Sequence, residues 1–546
     1  MEKIGELIRK AEQDYITGVT TIGKYVDFSQ YENVEKVDAY INSKHTSGST
    51  DSMGREKPFF NIVTAAVNIW YRATDLDRKD IRIKATKRNQ YVLAFLASIH
   101  LQNWMKKTAF GTFLNDWGRT LAKYGSAVSK FVEKDGVLYP SVIPWNRLIS
   151  DTVDFENNPK IERLFLTPAQ LRKNKSYDQK KVKELLDAVQ ARETADKRKK
   201  DNKSDYIELY EIHGELPLSY LTAKEKDGDV YQQQMHVVSF VQKGKQKKDE
   251  YEDFTLYSGK ESQDPYVITH LIKEDGRAQS IGAVESSFEA QWMKNHTVKS
   301  IKDQLDLASK LFFQTADANF VGRNVLSAIE NGDILVHKDN SPLTQVQNNS
   351  HDITALQNFG AEWMALVQEI TSTPEAARGV TPPSGIAMGT VQLVTAQGLS
   401  LFEIMVENKG LALEDMLRKF IIPNLKKKMD TTEEITATLD SAGITQLDSM
   451  YVPNEATRID NEHIKADVLS GKVAENMDMN MLQQSIQQGL NANGAQRFIK
   501  PSNIPTKTWK DIFKDFEWDV DVDITGENKD KQATLQTLNK IGRAHV

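Results

Sequence analysis

The sequence predicts an α+β fold in which helices predominate, and three observations carry that prediction. Between Tyr206 and Ile272 apolar and polar residues alternate with a period of two, the pattern of a meander of half-buried strands. After Gly282 the period changes: Val284, Phe288, Gln291, Asn295, Val298, Ile301, Leu305, Ala308 and Phe312 step by threes and fours, a helix on the order of 45 Å long. A longer helical pattern runs from about Ile386 to Met429 and closes on Lys426, Lys427 and Lys428, cations that suit the negative end of a helix dipole.

Composition sets the outer bounds. At roughly 150 residues per domain, 546 residues correspond to three or four domain-sized units. Lys and Arg number 70 against 76 Asp and Glu, a formal charge of −6, so no basic excess advertises nucleic-acid binding. With 21 Phe, 17 Tyr and 8 Trp the chain is too aromatic to be disordered. The absence of cysteine excludes disulfide scaffolds, Cys-ligated zinc, iron–sulfur clusters and thiol catalysis. The first residues, MEKIGELIRKAEQDY, are charged and lack an apolar core, so no secretory signal is expected. No run approaches 18 uncharged apolar residues, so no membrane-spanning helix is expected either. The final residues 541–546, IGRAHV, match the translation of a common short-read sequencing adapter. They are expected to be an artefact, with the natural chain continuing past Lys540.

In chain order, residues 41–58 are rich in Ser, Gly, Thr and Asp and predict a loop or mobile arm. Ile62, Ala66, Ile69 and Trp70 recur as on a helix within 58–75, and Ile81 and Ile83 alternate with charges as in a short strand. From Tyr91 to Tyr124 a periodic stretch marked by Leu93, Leu96, Phe110, Phe113, Leu114, Trp117 and Leu121 predicts a buried helical face ending at Gly125. Asp135-Gly136 between alternating segments predicts a hairpin. Residues 167–190 read as one or two surface helices, and 191–205 as a solvated charge run with nucleic-acid contact as the alternative. Beyond the first long helix lies an irregular insertion with a turn at Asn331-Gly332-Asp333. A second helix follows, with Leu356, Phe359, Trp363, Leu366, Val367 and Ile370 as its stripe. The Pro- and Gly-rich stretch 371–385 precedes the longest helix, and the residues from 430 on hold polar helices and a strand at 518–525.

Chemical motifs are sparse. Ser258-Gly259-Lys260-Glu261 and Ser470-Gly471-Lys472-Val473 lack both the upstream glycine and the following Ser or Thr of a phosphate-binding loop. There is no G-x-S-x-G elbow and no H-E-x-x-H pair. His213 sits in a strand-like run, where a solvated or hydrogen-bonded imidazole is expected rather than a metal ligand. Asp521, Asp523 and Gly526 match positions 1, 3 and 6 of a calcium loop, but Lys529 and Gln532 stand at positions 9 and 12, and the alternation says strand. The chain is therefore expected to be no enzyme and to carry no cofactor or metal. Between Gly282 and Gly379 there are seven basic and twelve acidic residues, a net charge of −5, which suits a smooth conduit better than a clamp for DNA and fits an ordinary solvated helical hairpin equally well.

Several segments, in this order, resemble the portal proteins of tailed bacteriophages, and the resemblance spans most of the chain. They are Lys57-Pro58-Phe59-Phe60-Asn61-Ile62-Val63, Tyr124-Gly125, Ile143-Pro144-Trp145-Asn146-Arg147, the Gly282…Gln291…Asn295 helix, Thr373-Pro374-Glu375-Ala376-Ala377-Arg378-Gly379-Val380-Thr381-Pro382-Pro383-Ser384-Gly385, and Glu403…Glu407-Asn408-Lys409-Gly410. The resemblance implies a predominantly helical portal fold. Its parts would be an α/β wing (1–281, with the mobile loop 41–58 and the β-rich 206–272), stem helix 1 (282–314), a small α/β clip (315–351) and stem helix 2 (352–380). A tunnel loop (381–390) and the rest of the wing (391–540, its long helix reaching about 429) would follow, with the crown missing. It implies a homo-oligomeric ring, typically dodecameric, through which double-stranded DNA is packaged and ejected. Its partners would be the terminase large subunit, the head–tail connector and the major capsid protein or scaffold. The place would be the capsid portal vertex of the virion, after assembly in the host cytoplasm and without a membrane. Gly379, Thr381, Pro382, Pro383, Ser384 and Gly385 would face DNA. Asn319, Arg323, Asn324, Glu330, Asp333, His337 and Lys338 would lie in the clip that meets terminase and connector. Pro382-Pro383 restrict the loop while Gly379 and Gly385 free its ends, which predicts a hinge. Ile386-Ala387-Met388-Gly389-Thr390 is less polar than such a loop would lead one to expect. The competing readings are a structural scaffold or connector without a channel, and a nucleic-acid-processing enzyme, against which the missing nucleotide loop argues.

Overall fold

The computed structural model describes residues 3–20, 28–51, 54–87, 90–195, 206–222, 228–242, 250–308, 312–314, 316, 344–346, 353–371, 388–431, 434–439, 441–473, 475–500 and 508–522. Helix outweighs strand, 53% to 21%, in a mixed α and β architecture. The chain forms two compact units. One comprises Met1–Asp75, Asn115–Lys130 and Val142–Lys409; the other comprises Leu76–Leu114, Phe131–Ser141 and Gly410–Val546.

The chain opens with α1 (Ile4–Thr17), α2 (Gln30–Ile41) and α3 (Val63–Ala73). Ser29 caps α2 by accepting from Glu32 N, and the predicted loop 41–58 follows it with only an isolated Thr50–Glu56 bridge among its described residues. Next come β1 (Ile81–Lys84), α4 (Tyr91–Lys107) and α5 (Phe110–Tyr124). The stretch expected as one helical pattern is thus two helices. Thr108 closes α4 by donating both N–H and Oγ1 to Trp104 O, Ala109 turns left-handed (φ 52°), and its carbonyl accepts from Thr112 N to start α5.

β2 (Ser126–Lys134) and β3 (Val137–Ile143) are joined at Asp135-Gly136, both at positive φ, the two-residue turn the sequence predicts. β4 (Leu148–Ile149), β5 (Lys160–Leu166), α6 (Pro168–Lys173), α7 (Gln179–Ala195), β6 (Ile207–Pro217), α8 (Ser219–Thr222), β7 (Tyr231–Gln242), β8 (Tyr251–Lys260) and β9 (Tyr266–His270) complete this part. The order β4-β5-β6-β7-β8 makes an antiparallel five-stranded meander. The sheet is covered on both faces. Leu171, Val182 and Leu185 of α6 and α7 pack on Ile207, Leu209 and Val237, while Ile8 and Tyr15 of α1 pack on Tyr210, Ile212 and Val238. Burying each such aliphatic side chain stabilises by about 1.5–3 kcal/mol. The last strand of the β-rich region 206–272 leaves the meander: β9 pairs antiparallel with β2, Ser126 opposite His270 and Lys130 opposite Tyr266, so this region contributes to two sheets.

The long-helix region begins with α9 (Phe288–Ala308). It is shorter than its stripe suggests, about 32 Å for 21 residues. Phe312, the last apolar residue of that stripe, lies in β10 (Phe312–Gln314), which pairs with β11 (Thr344–Val346). A strand pairing across the insertion thus overrides the helical period at its end. α10 (Ile353–Ile370) packs against α9, and α11 (Met388–Met416) follows. A π-helical turn at Leu417–Ile421 leads into α12 (Ile422–Lys428), with Pro423 in its first turn. The predicted uninterrupted helix therefore contains one widened turn next to its proline, the place where a missing N–H is most easily absorbed.

The remainder is β12 (Ile435–Thr438), α13 (Ser441–Leu469), α14 (Met479–Ala492), β13 (Gln496–Ile499), α15 (Trp509–Ile512) and β14 (Asp519–Val522). In the second unit β14 pairs with β1 and β12 with β13. Asp521 of the calcium-like motif is thus a ladder residue opposite Arg82. His100, Trp509, Phe513, Phe516 and Trp518 form the aromatic centre of this unit, and Phe131 stacks on Phe420 at 4.5 Å.

Candidate functional site

Several of the segments that carry the family resemblance, residues 60–62, Gly125, residues 282–295 and Lys409, lie in the first unit around α3 and the root of the α9/α10 hairpin, while the segment 373–385 lies outside the described residues. Gln291 and Asn295, one turn apart on α9, clasp the backbone ahead of α3. Gln291 Oε1 accepts from Ile62 N (2.9 Å), its Nε2 donates to Phe60 O (2.8 Å), and Asn295 Oδ1 accepts from Phe60 N (2.9 Å). The two amides are the sheet-like partners of an extended segment that has no strand beside it. On the α10 side of the same root Trp70 Nε1 donates to Thr371 O (2.9 Å), one residue past α10. Arg277 grips Glu285 with two 2.8 Å hydrogen bonds, and Asn33 donates to Glu285 and Gln279.

Two glycines fix how closely the chain crosses itself there. Gly125, at φ +72°, ends α5 and lies against Ile281, where a Cβ would come 2.5 Å from the Ile281 carbonyl oxygen. At Gly282 a Cβ would meet Lys123 O and lie 2.6 Å from Gly125 N. Only two residues without side chains fit back to back in this crossing.

Lys409 of α11 is buried beneath α3. Its Nζ donates to the carbonyl of Thr74 (2.7 Å), the residue that ends α3, and lies 5.2 Å from the centre of the Trp117 ring. Burial pushes its ammonium down to about 8, against the pull of Asp75. Next to it, Asn408 Nδ2 donates to Leu271 O (2.7 Å).

The hairpin itself has two chemically distinct faces. Gly360 and Val367 are buried, and Gly360 lies over Thr297 and Lys294 of α9. Phe359, Leu366 and Ile370 turn outward and are 39%, 37% and 51% exposed. The single stripe read from the sequence is therefore divided: Val367 is buried, and the outward residues repeat at spacings of seven and four.

A cluster of buried charges joins the two sheets. Lys130 Nζ of β2 donates to Glu162 of β5 (2.6 Å) and Glu211 of β6 (2.9 Å), and Tyr266 OH of β9 donates to Glu162 (3.1 Å). His213 lies between two carboxylates, with Nε2 2.7 Å from Glu211 and Nδ1 2.8 Å from Glu261. A carboxylate only accepts, so both ring nitrogens carry protons. Burial disfavours the imidazolium, but the hydrogen bonds and charges of Glu211 and Glu261 outweigh it and leave the His213 pKa raised. Burial likewise opposes ionisation of Glu211, yet His213 and Lys130 hold that carboxyl down to about 2. Beside this cluster Lys160 pairs with Asp264.

The DNA-facing residues expected from the sequence, Gly379, Thr381, Pro382, Pro383, Ser384 and Gly385, lie outside the described residues. So do the clip residues Asn319, Arg323, Asn324, Glu330, Asp333, His337 and Lys338, and residues 196–205 of the charge run 191–205, whose first five residues end α7. Among the described residues no three His, Cys, Asp or Glu side chains are grouped to hold a metal ion, and no helix is long and apolar enough to cross a membrane. Sequence reasoning missed Lys130, Glu162 and Glu211. The one available signal was that Glu211 and His213 occupy the strand face that begins with Ile207 and Leu209. No protein-family model matches the chain, and no curated protein matches it.

Proposed function

We propose that the chain is the subunit of a portal-type ring, a non-enzymatic conduit through which double-stranded DNA enters and leaves a phage capsid. The observation that carries this reading is the α9/α10 hairpin. Its root is held by buried side-chain-to-backbone hydrogen bonds, while Phe359, Leu366 and Ile370 present a partly exposed apolar row at spacings of seven and four. A row of that kind needs a partner, and a neighbouring copy in a closed ring supplies one at every position. The acidic balance of 282–379 favours sliding over gripping of a phosphate backbone. In this reading the tunnel loop is 381–390 and the clip 315–351. The ring, of the dodecameric type, sits at the capsid portal vertex with the major capsid protein or scaffold around it, and meets the terminase large subunit and then the head–tail connector. Negative-stain microscopy of the purified chain tests it: discrete rings with a central hole are expected, whereas filaments or monomers overturn it.

A further inference from the structure

A second feature of α9 lies outside the hairpin seam. Trp292 is 56% exposed, and one face of its indole is stacked on the His296 imidazole, 5.6 Å between centroids with the planes 6° apart. These two rings border a cleft of about 240 Å³ lined also by Lys299, His45, Lys57 and Asn295, with no Asp or Glu among the described residues of its wall. Lys57 is held there by neutral acceptors, Ser47 O, Ser47 Oγ and Gly48 O at 3.2–3.3 Å, so its charge is positioned without being neutralised by a carboxylate. Asp303, one turn beyond Lys299, is engaged by Arg55 (3.2 Å). Asn295 is 7% exposed. Its Oδ1 accepts from Phe60 N and Gln291 Nε2, which leaves its Nδ2 protons without an acceptor among the described residues. His45 Nε2 lies 3.1 Å from the Pro58 carbonyl, which accepts only, so this nitrogen carries a proton.

The cleft thus combines fixed cations, unspent amide donors and an aromatic face open to solvent. Cations and N–H donors recognise a phosphate, and an open indole stacks on any planar base irrespective of its identity. We propose that this cleft binds a nucleotide, its base laid on the free face of Trp292 and its phosphate held by Lys299, Lys57 and the Asn295 amide. The phosphate could belong to a free mononucleotide or to an unpaired strand end. The site lies wholly within the first unit and does not depend on ring formation, so either proposal can fail alone.

Isothermal titration calorimetry of the full chain with thymidine 5′-monophosphate, thymidine, inorganic phosphate and a ten-residue thymidine oligonucleotide tests it. The monophosphate is expected to bind at least about tenfold more tightly than phosphate or thymidine alone. Trp292→Ala should weaken it at least about fivefold, consistent with the worth of a base stack. Trp292→Phe should retain most of the affinity, and Lys299→Glu should lose at least about fivefold. Tighter binding of the oligonucleotide assigns the site to strand ends, and tighter binding of the monophosphate assigns it to free nucleotide. No binding of either, equal binding of inorganic phosphate, or affinity unchanged in both Trp292→Ala and Lys299→Glu overturns the proposal. Because Trp292 and Lys299 lie at the surface, loss of fold is not expected in these variants, and unchanged thermal unfolding checks it.

Discussion

His213 is the residue at which the protonation state is decided by geometry alone. Both its ring nitrogens face carboxylate oxygens, so removing one proton turns a hydrogen bond into a lone-pair repulsion inside a buried site. Its pKa is raised above 6.5, so the stabilisation is fully present below pH 6.5 and is lost as the pH rises through the raised value. Glu211, lowered from 4.5 to about 2, contributes above pH 4.5 and loses its share only as the pH falls toward 2. The cluster is therefore strongest between these limits. His213→Gln should cost about 2 kcal/mol at pH 5.5, and the gap to the parent protein in thermal unfolding should close as the pH rises through the raised pKa of the imidazolium. A gap independent of pH would show that the imidazolium is not the species held. The sequence marked His213 as a strand histidine with a polar partner. It did not show Lys130 or Glu162, because which strands become neighbours is not written in the period of either one.

Among the secondary-structure elements, those with a strong period were legible: the meander strands β6 to β8, the hairpin at Asp135-Gly136, α10, and the long helix that became α11 and α12. The differences arose where a tertiary partner overrode the local pattern. Phe312 fits the α9 stripe but pairs with β11, β9 alternates like its neighbours but joins β2, and Ala109 breaks a continuous apolar period because Thr108 caps α4 from within. The chain crossing at Gly125 and Gly282 was legible only as a helix end and a change of period, since contact between residues so far apart leaves no local trace. It gives a sharp contrast between two glycine substitutions. Gly282→Ala drives a Cβ into the Lys123 carbonyl and the Gly125 amide and should cost more than about 3 kcal/mol, or prevent folding of the first unit. Gly489→Ala, inside α14 with nothing within 4 Å of the added carbon, should stabilise by about 0.5–1 kcal/mol. Chemical denaturation of both variants followed by tryptophan emission and circular dichroism checks the pair, and equal effects would contradict the crossing.

For the whole molecule, the outward row on α10 separates stability from assembly. Replacing Phe359 and Ile370 together by Glu removes apolar surface that is already half in water, so thermal unfolding of the isolated chain should shift by no more than about 0.5 kcal/mol per site. Sedimentation or mass photometry should show the oligomer lost. An unchanged oligomer would place the interface elsewhere and deprive the ring reading of its main support. Of the segments whose wording suggested a portal, those at residues 60–62, Gly125, residues 282–295 and Lys409 have contacts around α3 and α9, and 373–385 lies outside the described residues. What was legible of the candidate site is therefore its root, not the loops that would touch DNA, terminase or connector.

The same root has a consequence for how the chain is made. Its closing bonds join Ile62 to Gln291, Trp70 to Thr371 and Thr74 to Lys409, the last across 335 residues. At about 5–20 residues per second on the ribosome, α3 waits roughly 17–67 s between its own synthesis and the arrival of Lys409. The clasp site at residues 60–62 waits for Gln291, 229 residues after Ile62, and the Trp70 indole for Thr371, 301 residues on, and closure of such large loops is slow for reasons of topology rather than of stability. The nascent N-terminal half is thus the form of this protein most in need of a chaperone.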